Sequence, residues 1–111
     1  MAYLRDYAPG STVVKYAAIA ASSGDTTLVA AVAGKRIRVI SYTLVVSAAA
    51  NARFESGTGG TALTGQMALP ANGGIAASEN PSGHFQTAAG ALLNLELSTG
   101  SAAGHLSYIE V

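Results

Sequence analysis

Cysteine is absent from the 111 residues, which removes disulfides, thiolate catalysis and every Cys-based zinc or iron-sulfur site from consideration. Tryptophan is absent too, and two Phe and five Tyr supply all the aromatic side chains. Charge is scarce. Lys, Arg, Asp and Glu make up 11% of the chain, against about 25% in an average soluble domain. Six basic and six acidic residues leave no formal net charge. A surface so poor in charge has weak protection against self-association, and the balance points to surfaces that end up covered by other protein. It also argues against general nucleic-acid affinity, which depends on many cations neutralising phosphates. The nearest basic group, Lys35, Arg36 and Arg38, reads as a solvated strand edge, where charge discourages edge-to-edge pairing. No apolar run approaches the roughly 18 to 20 residues of a membrane span, and "MAYLRDYAPGS" lacks the basic flank and apolar stretch of a signal peptide. A soluble protein made in the cytoplasm is the expectation.

What is present is alanine, glycine and short β-forming runs. Half the residues are hydrophobic, and alanine favours helix, yet the spacing favours strands. Runs rich in Val, Ile, Leu, Tyr and Thr are closed by "SSGD" (22–25), "AGK" (33–35), "SGTGG" (56–60), "PANGG" (70–74), "NPSG" (80–83), "AAG" (88–90) and "TGSAAG" (99–104). Those intervals suit an all-β sandwich or barrel. Strands are expected at about 13–20, 26–32, 36–47, 50–55, 61–68, 74–77, 84–87, 92–98 and 104–111. Leu93, Leu95 and Leu97 alternate with Asn94 and Glu96, the period of a half-buried strand. In "KRIRVISYTLVVSA" the apolar parity changes near Val39 and Ile40, which implies a bulge or a strand buried on both faces.

The expected architecture is a single all-β domain, an antiparallel jelly-roll-like β-sandwich over residues 13–111, preceded by an extended arm over residues 1–12. So many short strands bury a shared core only in packed sheets or a closed barrel. The expected core is alanine-rich and therefore buries little area per residue, a shortfall that association would offset. In the arm, Tyr3, Leu4 and Tyr7 precede a Pro9-Gly10 hinge; a frayed tail is the alternative reading.

Motifs that carry chemistry are few. Gly60-Thr-Ala-Leu-Thr-Gly65 has the glycine spacing of a phosphate-binding loop, but Gln66 and Met67 stand where that loop needs Lys and a hydroxyl. Gly57, Gly59, Gly60, Gly73 and Gly74, together with Asn80, Pro81 and Gly83, read instead as turns, with Gly65 as a candidate bulge. His84 and His105 fall in different expected strands. A metal site would need them to meet each other and a carboxylate such as Glu79, or to meet at a symmetry axis. Glu55, Glu79, Glu96 and Glu110 are scattered, and no G-x-S-x-G elbow occurs. The expectation is a non-enzyme without a cofactor.

Residues 33–111 contain, in order, a "GK.IRV" strand, "F.SG...LTG.M.L..NGG", "NP.G.F.T..G..L.L.L" and a terminal "G.L.Y.EV". In that order they resemble a group of small phage and prophage virion proteins, whereas residues 1–32 match only in being β-like. The resemblance implies a β-sandwich on the exterior of a phage capsid: a decoration, or cement, protein. Such a protein, expected as a homotrimer, ties neighbouring major capsid protein subunits together, with no nucleic-acid or membrane partner. In that role Tyr3, Leu4, Arg5, Asp6 and Tyr7 are the expected shell contacts, since aromatics and arginine anchor protein interfaces. A head-fibre base, a tail or receptor-binding module, and a carbohydrate-binding sandwich are the alternatives.

Overall fold

A computed structural model describes residues 13–111, and the arm expected over residues 1–12 lies outside the described residues. The chain is all-β and antiparallel. Its strands are β1 (Lys15–Val29), β2 (Ile37–Val46), β3 (Ala50–Ser56), β4 (Thr61–Ala62), β5 (Met67–Leu69), β6 (Gly74–Ala77), β7 (Phe85–Gln86) and β8 (Leu93–Glu110). Hydrogen bonds join all eight into one sheet: β8 lies between β1 on one side and β2 and β3 on the other, β2 pairs β6 and β7, and β3 pairs β4 and β5.

Two strands are far longer than expected. The stretches 13–20 and 26–32 form one strand, β1, and 92–98 and 104–111 form one strand, β8. The glycine-rich segments taken as strand ends are a corner that crosses the sheet. Between the pairs Ser22↔Ser101 and Gly24↔Leu97, β1 contributes one intervening residue and β8 three. Such an excess bends a strand without ending it. The link between β2 and β3 bends at the same level: Ser47 N donates to Ser101 O at 2.9 Å, and Ser101 N donates to Ser47 Oγ at 2.9 Å. Gly100 is held here by its positive φ of 72° and by Ser47 and Ala48 crowding its missing Cβ.

The corner divides the sheet into two halves. In one, β8 pairs β2 from Ile37↔Glu110 to Val46↔Ala102; in the other it pairs β3 from Ala52↔Leu97 to Ser56↔Leu93. The parity change in β2 is a bulge, since Val39 pairs Tyr108 and Ser41 pairs Ser107, leaving Ile40 as the extra residue. The expected strand 61–68 is two short pieces, β4 and β5, and Gly65 lies between them.

One core draws on both halves. Ile19, Val39, Tyr42, Leu44 and Leu106 come from the first, and Phe54, Leu93, Leu95 and Leu97 from the second. The Tyr42 and Phe54 rings meet edge to face with centroids 5.0 Å apart, and Phe85 stands 4.9 Å from Phe54. Burial raises the Tyr42 phenol above its ordinary pKa, because the phenolate loses hydration there. The core is not alanine-rich. Only four of its 18 buried hydrophobic residues are alanine (Ala21, Ala50, Ala52 and Ala102), and the branched and aromatic side chains do most of the filling.

Candidate functional site

Four alanines outside the core, Ala18, Ala20, Ala76 and Ala103, lie on the outer face of the first half-sheet. Strand alternation places Tyr16, Ala18, Ala20 and Ser22 of β1 on that face, beside Ser107, His105, Ala103 and Ser101 of β8. Ser41, Thr43 and Val45 of β2 continue it, followed by Ala76 and Gly74 of β6. None of these positions is Lys, Arg, Asp or Glu. Side chains here are short, except for His105, for Tyr16, which is 79% exposed, and for Val45, which is 46% exposed.

Two depressions mark this face. A cleft of about 430 Å³ crosses the end of the face where Tyr16, Ser107 and Ser41 lie side by side and is lined by Val14, Tyr16, Ser41, Glu79, His105 and Ser107; the Ser41 and Ser107 hydroxyls share a hydrogen bond of 2.6 Å. Towards β6 a dimple of about 270 Å³ is lined by Thr43, Leu44, Val45, Gly74, Ile75 and Ala76. It is shallow and open, and β6 lies close to β2 beside it, since a Cβ on Gly74 would run into the Leu44 carbonyl oxygen.

The outer face of the second half has the opposite character. Register brings Asp25 opposite Glu96, and Arg53 and Glu55 opposite Glu96 and Asn94. Arg53 Nε donates to Glu55 Oε2 at 2.7 Å and to Glu96 Oε1 at 2.9 Å. Asn94 Nδ2 donates to Glu55 Oε1 and Asp25 Oδ1, both at 2.9 Å. The Glu55 hydrogen bond, more than any other influence, raises Arg53 above its ordinary pKa, with the Glu96 charge adding to it. Asn94 and Glu55 are fully buried, although alternation alone predicts an open polar face for Asn94. With both amide protons committed to carboxylates, the orientation of Asn94 is set, and its Oδ1 is buried without a partner among the described residues. Sequence reasoning missed this network. The signal was the spacing Arg53-x-Glu55 and Asn94-x-Glu96, which puts each pair on one strand face, but only the register joins the pairs.

Tyr3, Leu4, Arg5, Asp6 and Tyr7 lie outside the described residues. Gly57, Gly59 and Gly60 turn the chain between β3 and β4, with Gly60 N donating to Gly57 O at 3.1 Å. Gly73 N closes a turn on Pro70 O at 2.8 Å, in which Asn72 takes a φ of 60°, while Gly74 begins β6. Asn80, Pro81 and Gly83 form another turn: Gly83 N reaches Asn80 O at 2.8 Å, and Asn80 Oδ1 accepts from Ser82 N at 3.0 Å, the Asx geometry. Gly60 and Gly65 flank β4, and strand β5 rather than a helix follows Gln66, so the phosphate-loop spacing has no matching scaffold.

The histidines do not converge. His84 stands beside the inward-turned Tyr42 ring, with centroids 6.0 Å apart, and its Nε2 is 2.8 Å from Ser78 O. His105 projects from the outer face. Among the described residues no group of three or more His, Asp or Glu is placed to hold a metal ion. Arg36 and Arg38 are tied to the segment around β7, through Thr87 O at 3.4 Å and Gln86 Oε1 at 2.9 Å. No helix long and apolar enough to cross a membrane occurs among the described residues. No protein-family model, curated protein or solved structure matches the chain.

Proposed function

We propose that this chain is a phage virion structural protein, a capsid decoration protein that binds the outer shell and stabilises contacts between major capsid protein subunits. The observation that carries a role in protein contact is the broad outer face of β1, β8, β2 and β6, whose outward strand positions bear no Lys, Arg, Asp or Glu, with Tyr16 and Val45 exposed on it. Exposed apolar surface that a soluble protein leaves uncovered marks a protein contact. The virion setting comes from the ordered resemblance of residues 33–111. In this reading the sheet folds at its corner into a sandwich of jelly-roll type, a proposal supported by the meeting of Tyr42 and Phe54 from opposite halves. The protein is made in the host cytoplasm, forms a homotrimer, and works on the capsid exterior without a cofactor, nucleic acid or membrane.

Mechanism is then mass action. A protein that binds the assembled shell and not the separated subunits stabilises the shell by the free energy of its own binding. Residues 3–7 are the proposed contact with the shell, and the domain provides the mass that bridges subunits. Deleting residues 1–8 is expected to leave a cooperatively melting β protein that no longer sediments with particles. Undiminished binding by the truncated protein overturns the role of these residues.

A further inference from the structure

The outer face of the first half-sheet pairs a knob with a shallow hole. Tyr16, 79% exposed, stands on β1 at one margin of the face. The dimple beside Gly74, about 270 Å³ in volume and lined by Val45 and Ala76, lies at the other margin, on β2 and β6. We infer that this face is where copies of the chain meet, with Tyr16 of each copy seated in the Gly74 dimple of the next. The inference rests on the homotrimer of the proposed function but not on the capsid as its target.

Three observations favour a second copy as the occupant. First, the face lacks Lys, Arg, Asp and Glu at every outward strand position from Tyr16 to Ser22, Ser101 to Ser107, Ser41 to Val45 and Gly74 to Ala76, and with Glu79 confined to the cleft beside Tyr16 copies meet with little like charge opposed. Second, knob and hole occupy opposite margins, which makes the contact head to tail; such contacts close into rings when the rotation permits. Third, area decides what persists. Three strands of about seven residues and the four residues of β6, about 4.8 Å apart at ~3.3 Å per residue, offer about 400 Å² of flat sheet per copy. Three such faces turned towards a common axis bury about 1,200 Å², and each seated tyrosine adds about 150 Å². That total exceeds the roughly 1,000 Å² expected of a specific contact, whereas a single head-to-tail pair falls well short of it. The ring therefore forms without a long-lived pair, and Tyr16 is the residue on which it depends.

Small residues serve this arrangement in a way larger ones would not. Ala18, Ala20, Ala103 and Ala76 are exposed and keep the face flat enough for neighbours to approach. Tyr16 is also suited to the role, because it covers a large area at the cost of few rotatable bonds.

The test uses purified full-length protein with p-benzoylphenylalanine in place of Tyr16, irradiated and mapped by mass spectrometry. The expected product is a two-chain adduct joining residue 16 to the neighbour's residues 43–45 or 74–76. Adducts at any other segment, or irradiated protein that remains single-chain, overturn the contact. Two surface variants give an independent readout by sedimentation. Tyr16→Ala removes the knob and Ala76→Arg fills the hole, and each is expected to raise the concentration for half-assembly by at least about tenfold. Wild-type self-association in both variants, with unchanged thermal melting, overturns the proposal. These assays contain no particles, so failure here combined with intact shell binding removes the copy-to-copy contact alone, and the reverse outcome removes only the capsid reading.

Discussion

Gly104→Val is expected to destabilise the fold by about 3 kcal/mol, at the upper end for an overpacked interior, and to lower Tm by about 12 to 24 °C in a domain of this size. Gly104 sits in the middle of β8, paired with Ile19 of β1 and Leu44 of β2. A Cβ there would lie inside the van der Waals radius of the Thr43 carbonyl oxygen and close to Leu44 Cα. Backbone cannot yield as a flexible side-chain end can, so relief requires that β8 and β2 separate at the centre of the sheet. Gly90→Ala is the control. Gly90 has a φ of 77° and nothing within 4 Å of its missing Cβ, so only the left-handed backbone cost of about 1–2 kcal/mol applies. Urea melts of both variants check the distinction; equal losses would contradict the close approach of β8 and β2.

Phe54→Ala carries an effect of similar or greater size. Phe54 is fully buried and its ring meets Tyr42 at 5.0 Å and Phe85 at 4.9 Å. Removing a large buried aromatic costs about 3–5 kcal/mol, part transfer and part cavity. The position matters more than the residue. Phe54 belongs to the half-sheet of β3, whereas Tyr42 and Phe85 belong to the half of β2 and β7, so the loss measures how far the two halves share one core. The expected result is a Tm drop of more than about 12 °C together with a changed near-ultraviolet signal from Tyr42. A loss within about 0.5 kcal/mol, the size of an ordinary surface change, would mean that the halves do not support each other through these rings.

β2, dense in β-branched and aromatic residues, was legible from sequence and lies within a residue of expectation at each end. β3 and β6, which have few such residues, were bounded instead by the Ser and Gly clusters around them. The bulge at Ile40 was foreshadowed by a change of apolar parity, because an extra residue shifts every later side chain to the other face. What misled was the meaning of Ser and Gly clusters. "SSGD" and "TGSAAG" have the composition of turns, but a turn and a corner both need permissive backbone, and only the hydrogen-bonding partner distinguishes them. Here the partner is Ser47, whose amide and hydroxyl reach Ser101 from the link between β2 and β3.

Alanine was misleading for a related reason. Alternation shows that a strand has two faces, but where both faces carry small apolar residues it does not show which is buried. In β1, Ile19 and Ala21 turn inward, whereas Ala18 and Ala20 are exposed. The polar network of Asp25, Arg53, Glu55, Asn94 and Glu96 was invisible because its members come from three strands and meet only through the β1–β8 and β3–β8 registers. The charge-poor outer face was hidden in the same way: its residues are unremarkable one strand at a time and become a surface once β1, β8, β2 and β6 lie side by side.

Whether the chain covers an assembled shell, as proposed, is tested most directly by the copy number of the protein on purified intact particles. A decoration protein predicts on the order of hundreds of copies per particle, as expected when each trimer bridges neighbouring shell subunits in a repeating lattice. A handful of copies would place it at a vertex or tail, and absence from washed particles that retain their shell would contradict the account.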